Sequence, residues 1–274
     1  MRARVTDEKL NNAHLGSLFR VISRAYLDRL ARRGLHSWRE VALRSLVLEI
    51  PHGGLGDHLF WTPIPRLAKS SGKYNRVFIS TQSEFRSGSY KDLIWGCNPF
   101  VDGFVDAKGL LLGDMSCDGT CNLLDRMLRH FGVDDGQPFH EPEIHFAVSS
   151  REDVSGSNVY DPNYVSNAGD GLSSADVASH LSAEGFHPDV QLPPRPGAKR
   201  LALDGVPVTK DCSSLLDYAG LIRGCRSFAC LATGSATLAA ALGKGSLVIA
   251  SPAVETRFLH SKLHKYIPYR EGLR

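Results

Sequence analysis

No run of 18 apolar residues occurs in the 274-residue chain, so no membrane-spanning helix is expected. Cysteine is sparse: six residues, Cys97, Cys117, Cys121, Cys212, Cys225 and Cys230, are scattered through a chain of this size, which argues against a disulfide framework and for reduced thiols. Cys117 and Cys121 form a C-x3-C pair with His130 downstream, but no second pair follows at ligand spacing, so no metal is expected there. Met1-Arg2-Ala3-Arg4 is followed by Asp7, Glu8 and polar residues, without the apolar core and small-residue cleavage site of a secretory signal. A cytoplasmic protein is the expectation. Two nucleotide signatures are also missing: there is neither a G-x-G-x-x-G fingerprint nor a G-x-x-x-x-G-K-[ST] loop.

What is present reads as a soluble globular chain, 42% hydrophobic and 22% charged, long enough for two domains. The small excess of positive charge is local. Residues 1–44 hold ten Lys/Arg against four Asp/Glu, a net of +6, which leaves −3 for the remainder of a chain whose total is +3. Within that segment Leu15, Leu18, Phe19, Ile22, Tyr26 and Leu30 recur at helical spacing, so an amphipathic helix is expected over about 14–33. Its arginines fit either contact with an anionic membrane surface or nucleic acid, or a helix packed on the first domain; packing is the preferred reading. No alternation of aromatic and basic residues suggests base stacking.

From Ser45 onward strands and helices alternate, which implies parallel sheets with helices on their faces. The first half is expected to contain strands at 46–50, 76–80 and 103–106, a helix over 59–69, a short helix at 90–95 and another at 122–131 ended by Gly132. Pro63 and Pro65 should kink or delay the 59–69 helix. A polar stretch from Pro142 to Asn158 marks the interdomain boundary, which divides the chain into 1–44, 45–150 and 151–274. The second half repeats the order, with a strand at Val159-Tyr160, a capped helix at 175–183 and a proline-rich surface connection at 191–199. A short strand at 201–203 and a helix ending near Gly224 follow.

Two glycine turns stand out. Pro51-His52-Gly53-Gly54-Leu55-Gly56-Asp57-His58 joins the first strand to its helix and places one carboxylate at the helix mouth. Ala232-Thr233-Gly234-Ser235 joins the strand 227–231 to an alanine-rich helix, 236–242. Backbone N–H groups and hydroxyls are thereby offered at a helix N-terminus, a phosphate cradle in outline. Neither turn alone is specific.

Together they resemble the heptosyltransferase-like glycosyltransferases, glycosyltransferase family 9, which use ADP-heptose to build lipopolysaccharide core. Gly53-Gly54-Leu55-Gly56-Asp57-His58-Leu59-Phe60-Trp61-Thr62-Pro63 is similar to the family's first signature. Ser227 to Ile249, with its Thr-Gly turn and Leu242-Gly243-Lys244, is similar to the second. The resemblance implies a GT-B architecture, two Rossmann-like domains facing across a cleft. It aligns Asp57 with the catalytic aspartate, and Thr233 and Gly234 with residues that hold the donor diphosphate. The chain departs from the family at Ala232 and Thr237, where members carry an aspartate and a histidine.

The expected activity is transfer of a sugar from a nucleotide-diphosphate sugar to an acceptor hydroxyl on a glycan, glycolipid or other molecule, inverting and without a metal, with Asp57 as general base. Thr233, Gly234 and Ser235 are expected to face the departing diphosphate. Lys244 and Arg257 are candidate cations or solvated charges, and Glu255 is a donor-sugar contact or an ordinary loop acid. Asn167 to Gly171 is a further candidate for donor contacts. His52 and His58 either contact a phosphate, orient Asp57 or serve packing and surface. The alternatives are a sugar-nucleotide epimerase, a nucleic-acid-modifying transferase of the same fold and a non-catalytic sugar-nucleotide-binding protein.

Overall fold

The structure, a computed structural model, describes residues 44–109, 121–209, 212–255 and 258–267. The expected amphipathic helix at 14–33, its membrane or nucleic-acid contact, Cys117 and Arg257 lie outside the described residues.

The first half builds a three-stranded parallel sheet in the order β1 (Ser45–Leu48), β2 (Arg76–Ser80), β3 (Gly103–Val105). The helix expected over 59–69 is instead two helices, α1 (Leu55–Phe60) and α2 (Ile64–Ser70), with Trp61 and Thr62 between them. The prolines explain the break. Pro63 caps α2 and Pro65 sits in its first turn, positions where a missing N–H costs nothing, whereas inside one continuous helix each would remove a hydrogen bond. Tyr90–Trp95 forms a π-helical turn. Asn122 caps α3 (Leu123–Phe131) by accepting from the Asp125 N–H, and Gly132 closes it in the left-handed region at φ 62°.

The second half builds a five-stranded parallel sheet from β4 (Asn158–Asp161), β6 (Val190–Gln191), β8 (Ser227–Leu231), β9 (Ser246–Ile249) and β10 (Lys265–Ile267). Their spatial order is β10-β9-β8-β4-β6. A two-residue β5 (Asn163–Tyr164) pairs antiparallel with β7 (Lys199–Arg200), so the strand expected at 201–203 falls two residues earlier. β6 and β10 are too short to leave a periodic signature and are not expected from the sequence. Helices α4 (Ser174–Ala183), α5 (Leu215–Gly224) and α6 (Gly234–Ala241) complete this half.

One continuous apolar core runs through both halves, from Leu46, Leu48 and Ile50 to Val248 and Ile249. The halves meet where α1 lies against α6. A Cβ on Gly234 would stand 2.7 Å from the Gly56 nitrogen and 3.2 Å from Leu55 Cβ, and one on Gly56 would stand 3.1 Å from Gly234 Cα. Glycine is thus required by proximity of backbone to backbone rather than by an unusual dihedral.

Two buried histidines fill the seam beside this contact. His260 Nε2 lies 3.2 Å from Thr237 Oγ1, and its ring meets Phe60 edge-on at 4.6 Å. The His260 carbonyl accepts from Asn122 Nδ2 at 2.6 Å. His264 Nε2 donates to the Ala236 carbonyl at 2.9 Å. Burial pushes the His260 pKa down to about 3, with the neighbouring His264 adding to it, and burial takes His264 down to about 4. Both rings are neutral at pH 7.

Two outcomes are expected. Gly234→Ala forces backbone apart and should lower unfolding free energy by about 1–3 kcal/mol, read by urea denaturation, because the neighbouring atoms are main chain and cannot rotate away. Unchanged stability would mean that the turns do not touch. The second outcome concerns acid. The unfolded chain binds protons on these histidines at higher pH than the native one does, so stability should fall as pH drops from about 6.5 towards 4. His260→Gln should make that decline shallower in denaturation curves taken across the range.

Candidate active site at the two glycine turns

The first turn leaves the carboxyl end of β1 and is pinned by the segment that follows β2. Ile50 N–H donates to Ser83 Oγ at 3.0 Å, Glu84 N–H to the Ile50 carbonyl at 3.0 Å, and Arg86 N–H to the Gly53 carbonyl at 3.1 Å. A Cβ on Gly53 would lie 3.0 Å from the Arg86 nitrogen, so this close lacing needs glycine there. Asp57, in the first turn of α1, accepts the Gly54 N–H on Oδ2 at 3.1 Å and so holds the loop closed on itself. Its carboxyl is half-buried. Burial raises its pKa from the ordinary 3.8, while His52, the Gly54 N–H and Arg86 pull it back.

His58 does not belong to the solvent face. It is fully buried, its Nε2 donates to the Glu84 carbonyl at 2.8 Å, and its Nδ1 accepts from Trp95 Nε1 at 3.0 Å. Phe85 stacks on its ring at 4.7 Å. Burial takes the pKa to about 4, which keeps the ring neutral and fixes the tautomer that this pair of bonds demands. Its role is packing, because both nitrogens are spent beneath the loop and neither is offered to a phosphate or to Asp57. His52 remains exposed and within electrostatic reach of Asp57.

The second turn leaves β8. Thr233 caps α6, its Oγ1 accepting the Ser235 N–H at 3.2 Å. Ser235 is buried and turns its hydroxyl inward to Asp161 Oδ2 at 2.7 Å, so that hydroxyl is committed within the protein. Gly234 begins the helix against Gly56. The two expected turns are therefore brought into direct contact, and Asp57 stands one residue from that contact.

One expected residue, Lys244, is not brought there. Lys244 lies beyond the opposite end of α6, and its ammonium donates to the Cys225 carbonyl, where it ties the helix exit to the end of α5. An eight-residue helix is about 12 Å long, which removes Lys244 from the turn. Glu255 is exposed, two residues past Ala253, whose carbonyl accepts from Asn167 Nδ2 at 3.0 Å. Asn167 and the segment after β9 thus form one joined rim. Sequence pattern alone does not mark Arg86, Asp161, Arg195 or Tyr218, since each stands singly in a loop, at a strand end or in a helix. Only Asp161, placed at a strand's carboxyl end, carries a positional hint.

No protein-family model and no curated protein matches the chain. Solved structures do. The iron-containing dodecameric glycosyltransferase TibC from enterotoxigenic E. coli H10407 shares 17% identity over 81% of this chain with a TM-score of 0.56, and the chain spans 62% of TibC's length. TibC has also been solved with ADP-D-β-D-heptose. A family 9 glycosyl transferase from Veillonella parvula gives a TM-score of 0.55 at 10% identity, covering 82% of this chain and 85% of that one. The E. coli heptosyltransferase WaaC with ADP gives 0.50 at 14% identity, covering 81% and 92%. The described residues do not fit an iron centre: among them no three His, Cys, Asp or Glu side chains converge. With its parallel sheets and its paired glycine turns, the chain has the GT-B fold of the heptosyltransferases and family 9 glycosyltransferases.

Proposed function

We propose that the protein is a glycosyltransferase that moves a sugar from a nucleoside-diphosphate sugar to an acceptor hydroxyl. The observation that carries this reading is the contact between Gly56, the residue before Asp57, and Gly234, the first residue of the helix that Thr233 caps. A base for the acceptor and the N-terminus of an eight-residue helix for the leaving group then share one cleft. The neighbours solved with ADP and with ADP-D-β-D-heptose support a nucleotide sugar as donor.

In the proposed step, the acceptor hydroxyl gives its proton to Asp57 as its oxygen attacks the anomeric carbon. The bond from that carbon to the diphosphate breaks, and the nucleoside diphosphate departs with the electron pair. Attack from the face opposite the leaving group inverts the centre. The raised pKa of Asp57 suits it to accept a proton near neutrality better than an exposed aspartate would. Charge on the leaving group falls to fixed dipoles and protein cations, and Arg86, next to Gly54, lies on the acceptor side of that space.

The tests start with ligand. A thermal-shift screen of nucleoside diphosphates and nucleotide sugars, ADP-heptose included, should find a selective stabiliser, since a ligand at 100 times its Kd adds about 2.7 kcal/mol. If none shifts the melting temperature, the reading fails. With a donor and acceptor in hand, Asp57→Asn should stay folded and lose about 10²- to 10⁴-fold in kcat/KM. The wild-type kcat/KM should fall on the acid side through a pKa above the ordinary 3.8, because the working form is the ionised carboxylate. Full activity in the Asn variant would remove Asp57 as the base.

A further inference from the structure

The most heavily bonded charge in the second half is Asp161, the last residue of β4 and wholly buried. Its Oδ2 accepts from Arg195 Nη2 at 2.6 Å, Tyr218 OH at 2.6 Å and Ser235 Oγ at 2.7 Å. Its Oδ1 accepts from the Asn163 N–H at 3.0 Å and from Asn163 Nδ2 at 2.8 Å. The donors come from four places: β5, the connection after β6, helix α5 and the start of α6. One carboxylate therefore fixes the local arrangement of all of them.

Arg195 differs from its companions in exposure. Its guanidinium stacks over the Tyr218 ring at 4.1 Å, yet its side chain keeps 35% of its surface while Asp161 keeps none. A cation whose counter-ion lies beneath it and whose outer side is open is oriented without being used up. It shares a carboxylate oxygen with Ser235, the second residue of α6, so it stands beside the Thr233-Gly234 turn.

The topology makes this the ligand end of the sheet. In the order β10-β9-β8-β4-β6 the winding reverses between β4 and β8, and Asp161 is in register with Cys230 across that pair. Ligands of open α/β sheets collect outside the carboxyl ends of the strands at such a reversal. Arg195 also reaches towards the other half. Burial raises the Tyr90 phenol pKa, and the charges of Arg195 and Arg86 oppose that, so both guanidinia lie within electrostatic reach of Tyr90.

We propose that Arg195 binds the diphosphate of the nucleotide in the cleft and that Asp161 is its positioning residue. The inference rests on the nucleotide-sugar reading and adds to it: the hydroxyl of Ser235 is turned inward, so the charge facing the diphosphate is a guanidinium from the proline-rich connection rather than a side chain of the glycine turn. Its planar fork takes two phosphate oxygens while one nitrogen stays on Asp161.

Calorimetric titration with ADP, GDP, UDP and inorganic pyrophosphate, alongside adenosine, guanosine and uridine, tests this. Arg195→Gln should weaken pyrophosphate and the diphosphate bound by wild type about ten- to a hundredfold, the range of a lost charge-assisted contact, with nucleoside affinity unchanged. Arg195→Lys keeps a charge but cannot serve Asp161 and ligand together, so about a tenfold loss is expected, and this variant decides the matter if Gln does not fold. Asp161→Asn should lose pyrophosphate binding and keep nucleoside binding, a split that general loosening of the fold would not produce. Diphosphate affinities within about twofold of wild type in the Arg195 variants would overturn the role of Arg195 and leave the transferase reading standing. Failure of the wild-type protein to bind any diphosphate would overturn both.

Discussion

The approach of Gly56 to Gly234 is the constraint on which the architecture turns. Two helices from two different sheets start at the same place, and each can do so only because neither glycine carries a Cβ. The proposed site is arranged around that point. The segment after β2 laces the first turn into shape, Asp161 anchors the second, and the neutral histidines His260 and His264 fill the seam between them. A seam packed with uncharged rings and main chain holds the two halves at fixed spacing.

A second feature follows from how polar groups are used. Several residues that chemistry would nominate from the sequence are consumed internally: His58 by Glu84 and Trp95, Ser235 by Asp161, and Lys244 by Cys225. Buried polar groups must find partners, and these have found them within the protein. Among the charged groups left with exposure near the turns are Asp57, Glu84, Arg86 and Arg195, with His52 beside them. A half-buried carboxylate with cations near it suits the proposed reaction, which takes up a proton and releases a diphosphate.

Much of the fold is legible in order along the chain. The strands at β1, β2 and β8 are short apolar runs flanked by turn residues, α3 ends at the expected Gly132, and α4 begins at its serine cap, Ser173. What escapes is short or shared. β6 and β10 have two and three residues and owe their existence to neighbours in the sheet, and the division of the expected 59–69 helix depends on where Pro63 and Pro65 fall within a turn. The pairing of the two glycine turns is suggested by their order and resemblance to one family, but a linear pattern does not say that they touch.

The sequence by itself determined the alternation of strand and helix, the two glycine turns and the acid at the mouth of the first, because these depend on contacts a few residues apart. Tertiary structure alone decided which polar residues remain available. His58 and Ser235 become scaffolding, while Arg195, in a proline-rich connection with no motif around it, becomes an open cation. The reason is that availability depends on what lies across space. A hydroxyl 74 positions from its partner, as Ser235 is from Asp161, or an imidazole 26 and 37 positions from its own, as His58 is from Glu84 and Trp95, carries no local mark of being already bound.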